Sequence, residues 1–511
     1  MGFPAPLHAQ AGADGSAVET DGPLLEPGRL RFSIRALFES ADHVFGADGR
    51  EALGARFSAD PLGASVVPAL QRAEEGLRRA LPGESVAPFT LGVSDVVITQ
   101  SALRVPLRVD VGVFDWLSVG GTAPFVRRRA EVQSAYRPDS ANVGLTPIVS
   151  DPADVSDFLN SMEVAVFQLR QRVEDACAAQ APDCSSGTAL LAESQDFLTG
   201  MRDAYLGQGV FPLAGSSLGD AILARAGTLD ARFRAFGVNT FPTAPPLATE
   251  PLGDGFFDDL VTSPALGIGA APLATWTSGF ELGDVELFAN ARVARWRWAD
   301  SAGAEGASLE LGGGLLIRLP TGTQDDPDNL VDRGSGDGQL DVEGRLFANF
   351  RARGPWGVWA DVRYTRQQEG DRTMRVAPPE AALPEASSRQ RVRWAPGDQV
   401  FLRVTPRVAL TREVTLALDL THWSRGADQL TLPAGAPPGL DRSAAVRGTD
   451  ASATTAGLGL VYSTLPRWRA GASVRPVEFR FQIFWDAAGS GVHTLDRTGV
   501  QFGVRLVRDI F

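Results

Sequence analysis

Apolar and polar residues alternate with a period of two through the C-terminal third of the chain. In segment 340–351 one face carries Leu340, Val342, Gly344, Leu346, Ala348 and Phe350, and the other carries Asp341, Glu343, Arg345, Phe347, Asn349 and Arg351. This period is that of a β-strand, and the run is about twice the usual strand length. A tilted strand of that length spans a bilayer. We therefore expect lipid against the apolar face and an enclosed, polar interior on the other.

Similar runs recur along the chain, and the connectors between them alternate between short and long. Runs begin near Leu30, Leu103, Leu117, Val285, Leu309, Leu340, Trp356, Val400, Val414, Leu458, Trp468 and Val500. Short turns and long loops alternate in this way in bacterial outer-membrane barrels, which have an even number of strands. The pattern predicts an all-β transmembrane antiparallel barrel of about twelve strands with both termini in the periplasm.

A soluble β-sandwich is the alternative, because its strands also alternate. The strand length, the two-residue turns and the regular connectors favour the barrel. Many tryptophans lie near predicted strand ends, where interfacial girdles need them: Trp116, Trp296, Trp298, Trp356, Trp394, Trp423, Trp468 and Trp485.

Segment 137–281 breaks the strand pattern. Asp151-Pro152 is a helix N-cap followed by proline at the first helical position, and the apolar residues that follow have helical spacing. We expect a helical insertion in an outer loop, serving as a cap or as a plug. The predicted organisation is a tail or signal remnant at 1–29, first barrel strands with a long loop at 30–136, the insert at 137–281 and the main barrel strands at 282–511.

Composition narrows the function. The chain has 511 residues, a net charge of −13 and a mean hydropathy of −0.04, and its cations are all arginine. The negative charge makes nucleic acid an improbable partner. We find no phosphate-binding glycine loop, metalloprotease motif or Gly-x-Ser-x-Gly, so no cofactor is expected.

The two chain ends suggest export. Ala9-Gln10-Ala11 matches the small-residue end of a secretory signal, although the preceding basic and apolar regions are missing, and a disordered tail explains it equally well. Phe511 resembles the terminal aromatic that the barrel-assembly machinery reads, although Arg508 and Asp509 interrupt the expected pattern. Outer-membrane lipid and this machinery are the predicted partners.

Cys177 and Cys184 are the two cysteines. In an oxidising compartment they could clip a helical hairpin. Two free thiols remain an alternative; a metal site would need further ligands, and the four histidines lie far apart in sequence.

Charged residues on the non-lipid face are the candidate lumen lining. They are Arg104, Arg108, Asp110, Glu286, Arg292, Glu310, Arg318, Asp341, Glu343, Arg345, Arg351, Asp361, Arg363, Arg403, Arg407 and Asp419. Interleaved charges of this kind usually pair across strands and stabilise the wall. The alternative is a polar conduit whose excess arginine favours anionic solutes.

Two further clusters could carry chemistry. Asp325, Asp326, Asp328, Asp332 and Asp337 crowd one predicted outer loop and could bind Ca²⁺, although their spacing is not that of an EF-hand and solvated loop charge is the alternative. His422-Trp423-Ser424 has the His-x-Ser order of outer-membrane phospholipases, with histidine as base and serine as nucleophile.

Three short segments carry a resemblance to a known family. Gly283-Asp284-Val285, Leu319-Pro320-Thr321-Gly322 and the run from Gly334 to Asp341 resemble the outer-membrane proteins of the "MetA-pathway of phenol degradation" family, as does 111–119. Thr421-His422-Trp423-Ser424-Arg425 is similar to a strand-end motif of the FadL and toluene-transporter family. Both resemblances imply barrels that pass hydrophobic compounds. The FadL N-terminal hatch sequence is absent.

We therefore expect a passive outer-membrane channel for small hydrophobic or amphipathic molecules. A structural or partner-binding barrel, and less so an outer-membrane hydrolase, are the alternatives.

Overall fold

Twelve antiparallel strands form a closed barrel, as the alternation predicts. The structure is a computed structural model that describes residues 22–510 except 47–48, 84–85, 208, 254–260, 263–266 and 299–305. Each strand pairs with its neighbours in sequence, and the last strand pairs with the first, from Arg29 opposite Asp509 to Val44 opposite Leu495. The sheet therefore has no open edge in its barrel portion, which a bilayer requires.

The barrel strands are β1 (Arg29–Gly46), β2 (Val93–Phe114), β3 (Leu117–Arg137), β4 (Val285–Arg297), β5 (Ser308–Leu319), β6 (Asp341–Arg351), β7 (Trp356–Gln367), β8 (Gln399–Ala409), β9 (Val414–Arg425), β10 (Ala451–Ser463), β11 (Val477–Ser490) and β12 (Leu495–Asp509). Further short strands are Gly49–Ala52, Trp276–Thr277 and Glu281–Leu282, which pair with β1 or β3, and Val143–Leu145, Val210–Pro212, Gly370–Arg375, Arg389–Ala395 and Gln429–Thr431, which form two small separate sheets.

The two ends of the barrel differ. At one end, here called the turn end, β1 begins, β12 finishes and the connectors are mostly tight. Gly354 makes one of these turns with φ of 113°, a conformation that favours glycine. Thr411 Oγ1 makes another by accepting hydrogen bonds from the backbone N–H of Glu413 and Val414 at 3.1 and 3.0 Å. The opposite end, here called the loop end, carries the long connectors.

The apolar face of the strands points outward. Leu346 is 68% exposed whereas its neighbour Phe347 is 3% exposed, and Leu315, Val293 and Phe502 are exposed in the same way. Exposed apolar patches of this extent are not stable in water. The belt identifies the barrel wall as membrane-facing, with lipid on the outside and the charged face inside.

Helices assemble a cap at the loop end. The long helices are α1 (Ala69–Ala80), α2 (Pro152–Ala178), α3 (Cys184–Gly207) and α4 (Ser217–Ala235), and single turns occur at Ala55–Phe57, Pro147–Ser150, Ala386–Ser388, Arg442–Ala445 and Leu465–Arg469. The Asp151 side chain caps α2 by accepting from Asp154 N, and Ser216 caps α4 in the same way. Within the described ranges, no helix has an apolar stretch long enough to cross a bilayer.

One apolar core joins the cap to the loop end of the barrel. It combines residues of the 47–92 connector, of α2 to α4 and of the 320–340 loop with Val44, Val96 and Ile98 from the loop-end parts of β1 and β2. Its largest fully buried members include Phe57, Phe89, Phe197, Tyr205, Phe211 and Phe233. The helices thus lie over the loop end, and the cap draws on two separate insertions rather than on 137–281 alone.

Several expectations need correction. Trp394 and Trp423 are each 4% exposed, so they are core residues and not part of an interfacial girdle. Trp468 lies in the helical turn Leu465–Arg469 and not in a strand. The alternation of connectors predicts a long connector between the last two strands, but this connector spans only 491–494, because β11 and β12 are longer than their apolar runs.

Candidate functional site in the barrel lumen

Ion pairs fill the middle of the lumen. Arg318 Nη1 lies 2.7 Å from Asp341 and Nη2 lies 3.2 Å from Glu286. Arg363 pairs with Asp361 at 2.7 Å. All five side chains are at most 4% exposed. Buried charges are tolerated only when paired and hydrogen-bonded, so this layer is a mutually dependent network.

The network continues around the wall. Asp110 accepts from Arg31 and from Arg108, at 2.9 and 2.8 Å. Asp419 lies 3.5 Å from Arg403 and also accepts from Thr405. The further pairs are Arg345 with Asp361 at 3.6 Å, Arg363 with Glu343 at 3.7 Å, Arg292 with Glu310 at 3.1 Å and Arg104 with Glu39 at 3.2 Å, and Arg407 donates to Asn349 at 2.5 Å.

The predicted lining residues mostly face inward, with one exception. Arg351 is exposed, because it ends β6 at the turn end where the wall gives way to solvent. Arg104, Arg292, Glu310 and Arg345 are only partly enclosed. Whether this set acts as a functional lining stays a prediction.

Several inward charges were missed. Glu478 pairs with Arg480 at 3.1 Å and with Arg505 at 2.7 Å, and Asp486 pairs with Arg497 at 2.9 Å. Arg31, Arg35 and Glu39 line the same interior from β1. The signal was present in the sequence, because these residues occupy the polar parity of strands whose apolar parity predicts the lipid face.

Aromatic side chains stand among the inward charges. Phe347 and Trp359 stack at 5.3 Å between ring centroids, Arg345 lies over both rings, and Arg108 lies 4.0 Å from the centroid of Phe288. Such cation–π contacts stabilise a buried guanidinium. Gly312 leaves room for Phe347, because a Cβ at position 312 would collide with that ring.

The chain preceding β1 enters the lumen from the turn end. Leu24 packs in one buried cluster with Phe347 and Trp359. Leu25 N–H donates to Ser118 Oγ at 2.8 Å, and Arg31 donates to the carbonyls of Gly22 and Pro23 at 2.9 and 3.1 Å. Residues 22–25, here called the inner segment, occupy the turn end without belonging to the sheet.

The loop end of the lumen contains a partly open cavity. Its wall includes Gln100, Arg104 and Arg128 from β2 and β3, Arg497 from β12, and Trp276 from the cap. Apolar surface comes from Trp276, Val331 and Leu495. The cavity is therefore amphipathic, because its lining combines cationic and apolar side chains.

The three segments that carry the family resemblance, 283–285, 319–322 and 334–341, meet where the loop 320–340 contacts the start of β4. Asp284 Oδ1 accepts from Gly322 N–H at 2.8 Å and Oδ2 accepts from Asp337 N–H at 3.3 Å, while Thr321 Oγ1 donates to the Gly283 carbonyl at 2.8 Å. Burial, Asp341 and Asp284 together raise the pKa of Asp337 to about 7. These residues fix the 320–340 loop to the start of β4.

The acidic loop does not assemble a calcium site among the described residues, and no group of three metal-ligating side chains occurs there. Its carboxylates form ion pairs with separate arginines. Asp325 pairs with Arg372, Asp328 with Arg375 at 2.9 Å, and Asp332 with Arg128 at 2.7 Å. These guanidinium groups neutralise the carboxylate charges that would otherwise be available to bind a cation.

The remaining candidates lie outside the lumen. Cys177 and Cys184 form a disulfide that closes the hairpin between α2 and α3. His422 and Ser424 face outward because Trp423 between them is buried, and His422 Nδ1 hydrogen-bonds Thr454 Oγ1 at 2.9 Å rather than Ser424. Phe511 and Ala9-Gln10-Ala11 lie outside the described residues.

The chain resembles solved outer-membrane barrels. The COG4313 outer membrane channel from Pseudomonas putida F1 is 9% identical, with a TM-score of 0.44 over 96% of this chain and 100% of that chain. The toluene transporter TbuX from Ralstonia pickettii is 9% identical, with a TM-score of 0.27 over 95% and 90%. A Pseudomonas aeruginosa FadL homologue is 8% identical, with a TM-score of 0.26 over 94% and 90%. No family model and no curated protein sequence matches the chain.

Proposed function

We propose that this protein is an outer-membrane channel through which small hydrophobic or amphipathic compounds diffuse passively. The amphipathic cavity at the loop end of the closed barrel carries the proposal, because concave sites with an apolar wall and a few polar groups are typical of small-molecule binding. The inner segment supports it: it closes the turn end by side-chain contacts and a few hydrogen bonds, so it can leave without breaking the barrel wall.

We infer that the turn end, with both termini, lies in the periplasm and the helical cap lies at the cell surface. Tight turns on the periplasmic side and long loops outside are the usual arrangement. In this orientation the chain comprises a tail at 1–29, the first barrel strands with a long loop at 30–136, a helical insert at 137–281 that supplies part of the cap, and the main barrel strands at 282–511. The membrane lipid contacts the apolar belt, and the assembly machinery reads β12 together with the aromatic residue Phe511.

A structural or partner-binding barrel is the second candidate. The buried arginine–carboxylate network favours it, because ion pairs in the middle of the lumen obstruct free passage. Phe167 and Val164 on α2 are 55% and 52% exposed and would suit a partner. The two proposals differ in one measurable respect: only a channel admits solute.

Liposome swelling with a panel of solutes tests the proposal. Liposomes containing the protein should swell in small neutral and amphipathic solutes faster than liposomes without it. Swelling at the protein-free rate for every solute would refute the channel and leave the structural proposal.

We also propose that the protein is not an enzyme. The purified protein should hydrolyse lipid esters no faster than protein-free detergent micelles, and His422→Ala and Ser424→Ala should leave that rate unchanged. Loss of a measurable hydrolysis rate in both variants would establish the hydrolase instead.

A further inference from the structure

We propose that an anionic glycerophospholipid of the surrounding bilayer, of the phosphatidylglycerol type, binds at a defined site on the outer wall of the barrel near the turn end. Its phosphate would lie between Arg475 and Arg508, and one acyl chain would lie in an apolar groove on the loop-end side of these arginines. The inference goes beyond the proposed function, because it requires a barrel inserted in a bilayer and does not require that the barrel conducts solute.

The groove crosses the outer wall where β10, β11, β12, β1 and β2 are neighbours. The short side chain of Ala36 lies opposite Phe502 in the pairing of β1 with β12 and leaves space beside that ring. The large apolar side chains of the lining are between 38% and 57% exposed, and they are Ile34, Leu460, Tyr462, Phe479, Phe481 and Phe502. Because this wall faces lipid, hydrocarbon is the material that fills such a groove.

Two exposed arginines lie between this groove and the turn end. Val477 is opposite Leu506 in the pairing of β11 with β12, and Val507 N–H donates to the Pro476 carbonyl at 3.1 Å. Arg475 and Arg508 come directly after this contact on the two neighbouring chain segments, and both are exposed. We therefore place the two guanidinium groups side by side at the edge of the apolar belt.

The chain supplies no counter-charge to this pair within its described part, where neither Arg475 nor Arg508 has a side-chain hydrogen bond or ion pair. The neighbouring carboxylate, Asp509, pairs with Arg29 at 3.1 Å instead. Like charges on neighbouring strands are unfavourable, and guanidinium groups bind phosphate oxygens through paired hydrogen bonds. A phosphodiester between the two arginines would supply the missing anion.

The surrounding connector favours an anionic headgroup over a zwitterionic one. Segment 464–476 contains Arg467, Arg469 and Arg475 and no aspartate or glutamate, although the whole chain has a net charge of −13. Glu413 on the next turn lies 3.9 Å from Arg467 and neutralises only part of this charge. Basic clusters at a membrane surface attract anionic lipids, whereas the ammonium group of phosphatidylethanolamine would meet charges of its own sign.

The spacing suits one lipid molecule. Val504 lines the groove, and Arg508 lies four residues further along β12 on the same face, which is about 13 Å at the rise of a β-strand. An acyl chain that starts below a phosphate at Arg508 therefore reaches the groove. Trp468 lies in the same connector, 4.5 Å from the Arg29 guanidinium carbon to the ring centroid, and tryptophans of this kind are typical of the headgroup level.

Native mass spectrometry of the full chain in detergent tests the site. The protein is incubated with equal amounts of phosphatidylglycerol and phosphatidylethanolamine that carry the same acyl chains. We expect the one-lipid adduct to contain phosphatidylglycerol about tenfold more often, since basic residues near a membrane surface each favour anionic lipid. Glycerol 3-phosphate, which has the phosphate without the acyl chains, should not displace the lipid at equal concentration. Equal adducts of the two lipids, or displacement by glycerol 3-phosphate, would overturn the proposal.

Arg475→Gln combined with Arg508→Gln is the decisive variant. It should reduce the preference for phosphatidylglycerol about three- to tenfold, and it should fold normally because both side chains are exposed. Arg297→Gln combined with Arg412→Gln is the matched control, since it removes the same charge from two exposed arginines elsewhere at the turn end. An unchanged preference in the first variant, or an equal reduction in both, would refute the site.

Two further variants separate the headgroup contact from the chain contact. Arg475→Lys combined with Arg508→Lys should retain more of the preference than the glutamine variant, because the charge remains. Ala36→Phe should fill the groove and lower the yield of both lipid adducts several-fold without changing their ratio. A lysine variant that behaves like the glutamine variant, or an unchanged yield in Ala36→Phe, would contradict the proposed contacts.

The swelling assay is independent of this inference. If solutes pass but the adducts show no lipid preference, the channel stands and the lipid site falls. If phosphatidylglycerol binds selectively but no solute passes, the lipid site stands and the channel falls.

Discussion

Replacing Arg318 by methionine should strongly destabilise the barrel. The guanidinium is 4% exposed and reaches Asp341 at 2.7 Å and Glu286 at 3.2 Å, which are 0% and 2% exposed. Without it, two buried carboxylates lose their shared cation, and breaking a buried pair costs about 3–5 kcal/mol. Arg391→Gln provides the control, because its partner Asp371 and Arg391 itself are 57% and 75% exposed, and exposed pairs contribute little.

A triple variant distinguishes pairing from packing. Arg318→Met combined with Glu286→Gln and Asp341→Asn removes all three charges, and replacement of a whole buried ion pair is often neutral or stabilising. Its free energy of unfolding should lie within about 1 kcal/mol of the wild type or above it. Urea unfolding from lipid vesicles, followed by tryptophan fluorescence, gives these values. A single variant no worse than Arg391→Gln, or a triple variant as unstable as the single one, would contradict the network.

Three further outcomes follow from the structure. Deleting residues 1–25 should raise liposome-swelling rates several-fold over a chain that starts at residue 22, because the inner segment closes the turn end; equal rates would count against this closure. Cys177→Ser with Cys184→Ser should expose the α2–α3 hairpin to protease, since a bridge across seven residues of separation contributes about 2–3 kcal/mol in the loop-entropy model, while the barrel stays intact. Asp337→Asn should stabilise the protein at pH 8 but not at pH 4. Its folded pKa, raised to about 7, means that the native state holds a proton that the unfolded chain releases near pH 4, so wild-type stability falls as the pH rises from 4 to 7; parallel pH profiles of wild type and variant would refute this.

The barrel could be predicted from the sequence because its main determinant is local. The alternation that places Leu346 on the outside also places Phe347 on the inside, and the other barrel strands show the same alternation. Strand number, closure and the helical interruption follow from such runs and from connector length. Strand ends were harder to predict: β2 and β3 extend beyond their regular apolar alternation because Val96, Ile98 and Ala130 pack in the core of the cap, and no local pattern encodes that contact.

The composition of the lumen could be predicted only in part. The alternation predicts most of the inward-facing charges, because they lie between apolar residues of the same strand. Inward-facing aromatics such as Trp359 and Trp423 cannot be distinguished in sequence from the aromatics of an interfacial girdle. The burial of an inward aromatic depends on the space that a neighbouring strand leaves for it. Gly312 on β5, for example, leaves room for the ring of Phe347 on β6. The inner segment has no periodicity at all. The cavity at the loop end depends on barrel closure, which brings Glu39 of β1 beside Arg497 of β12, far apart in sequence.

The cavity and the inner segment lie at opposite ends of the lumen. Gln100, Arg104 and Arg497 lie at the loop end, while Leu24, Phe347 and Trp359 lie at the turn end, with the Arg318 and Arg363 ion pairs between them. No hydrogen bond or ion pair joins the two sets among the described residues, and sites without shared partners usually act additively. In the proposed channel, a solute that enters at the loop end would meet the charged and apolar lining of the cavity before it meets the inner segment. Substitutions at the inner segment should then change the rate of passage without changing the cavity, and the ion pairs between the two ends should affect mainly the stability of the wall.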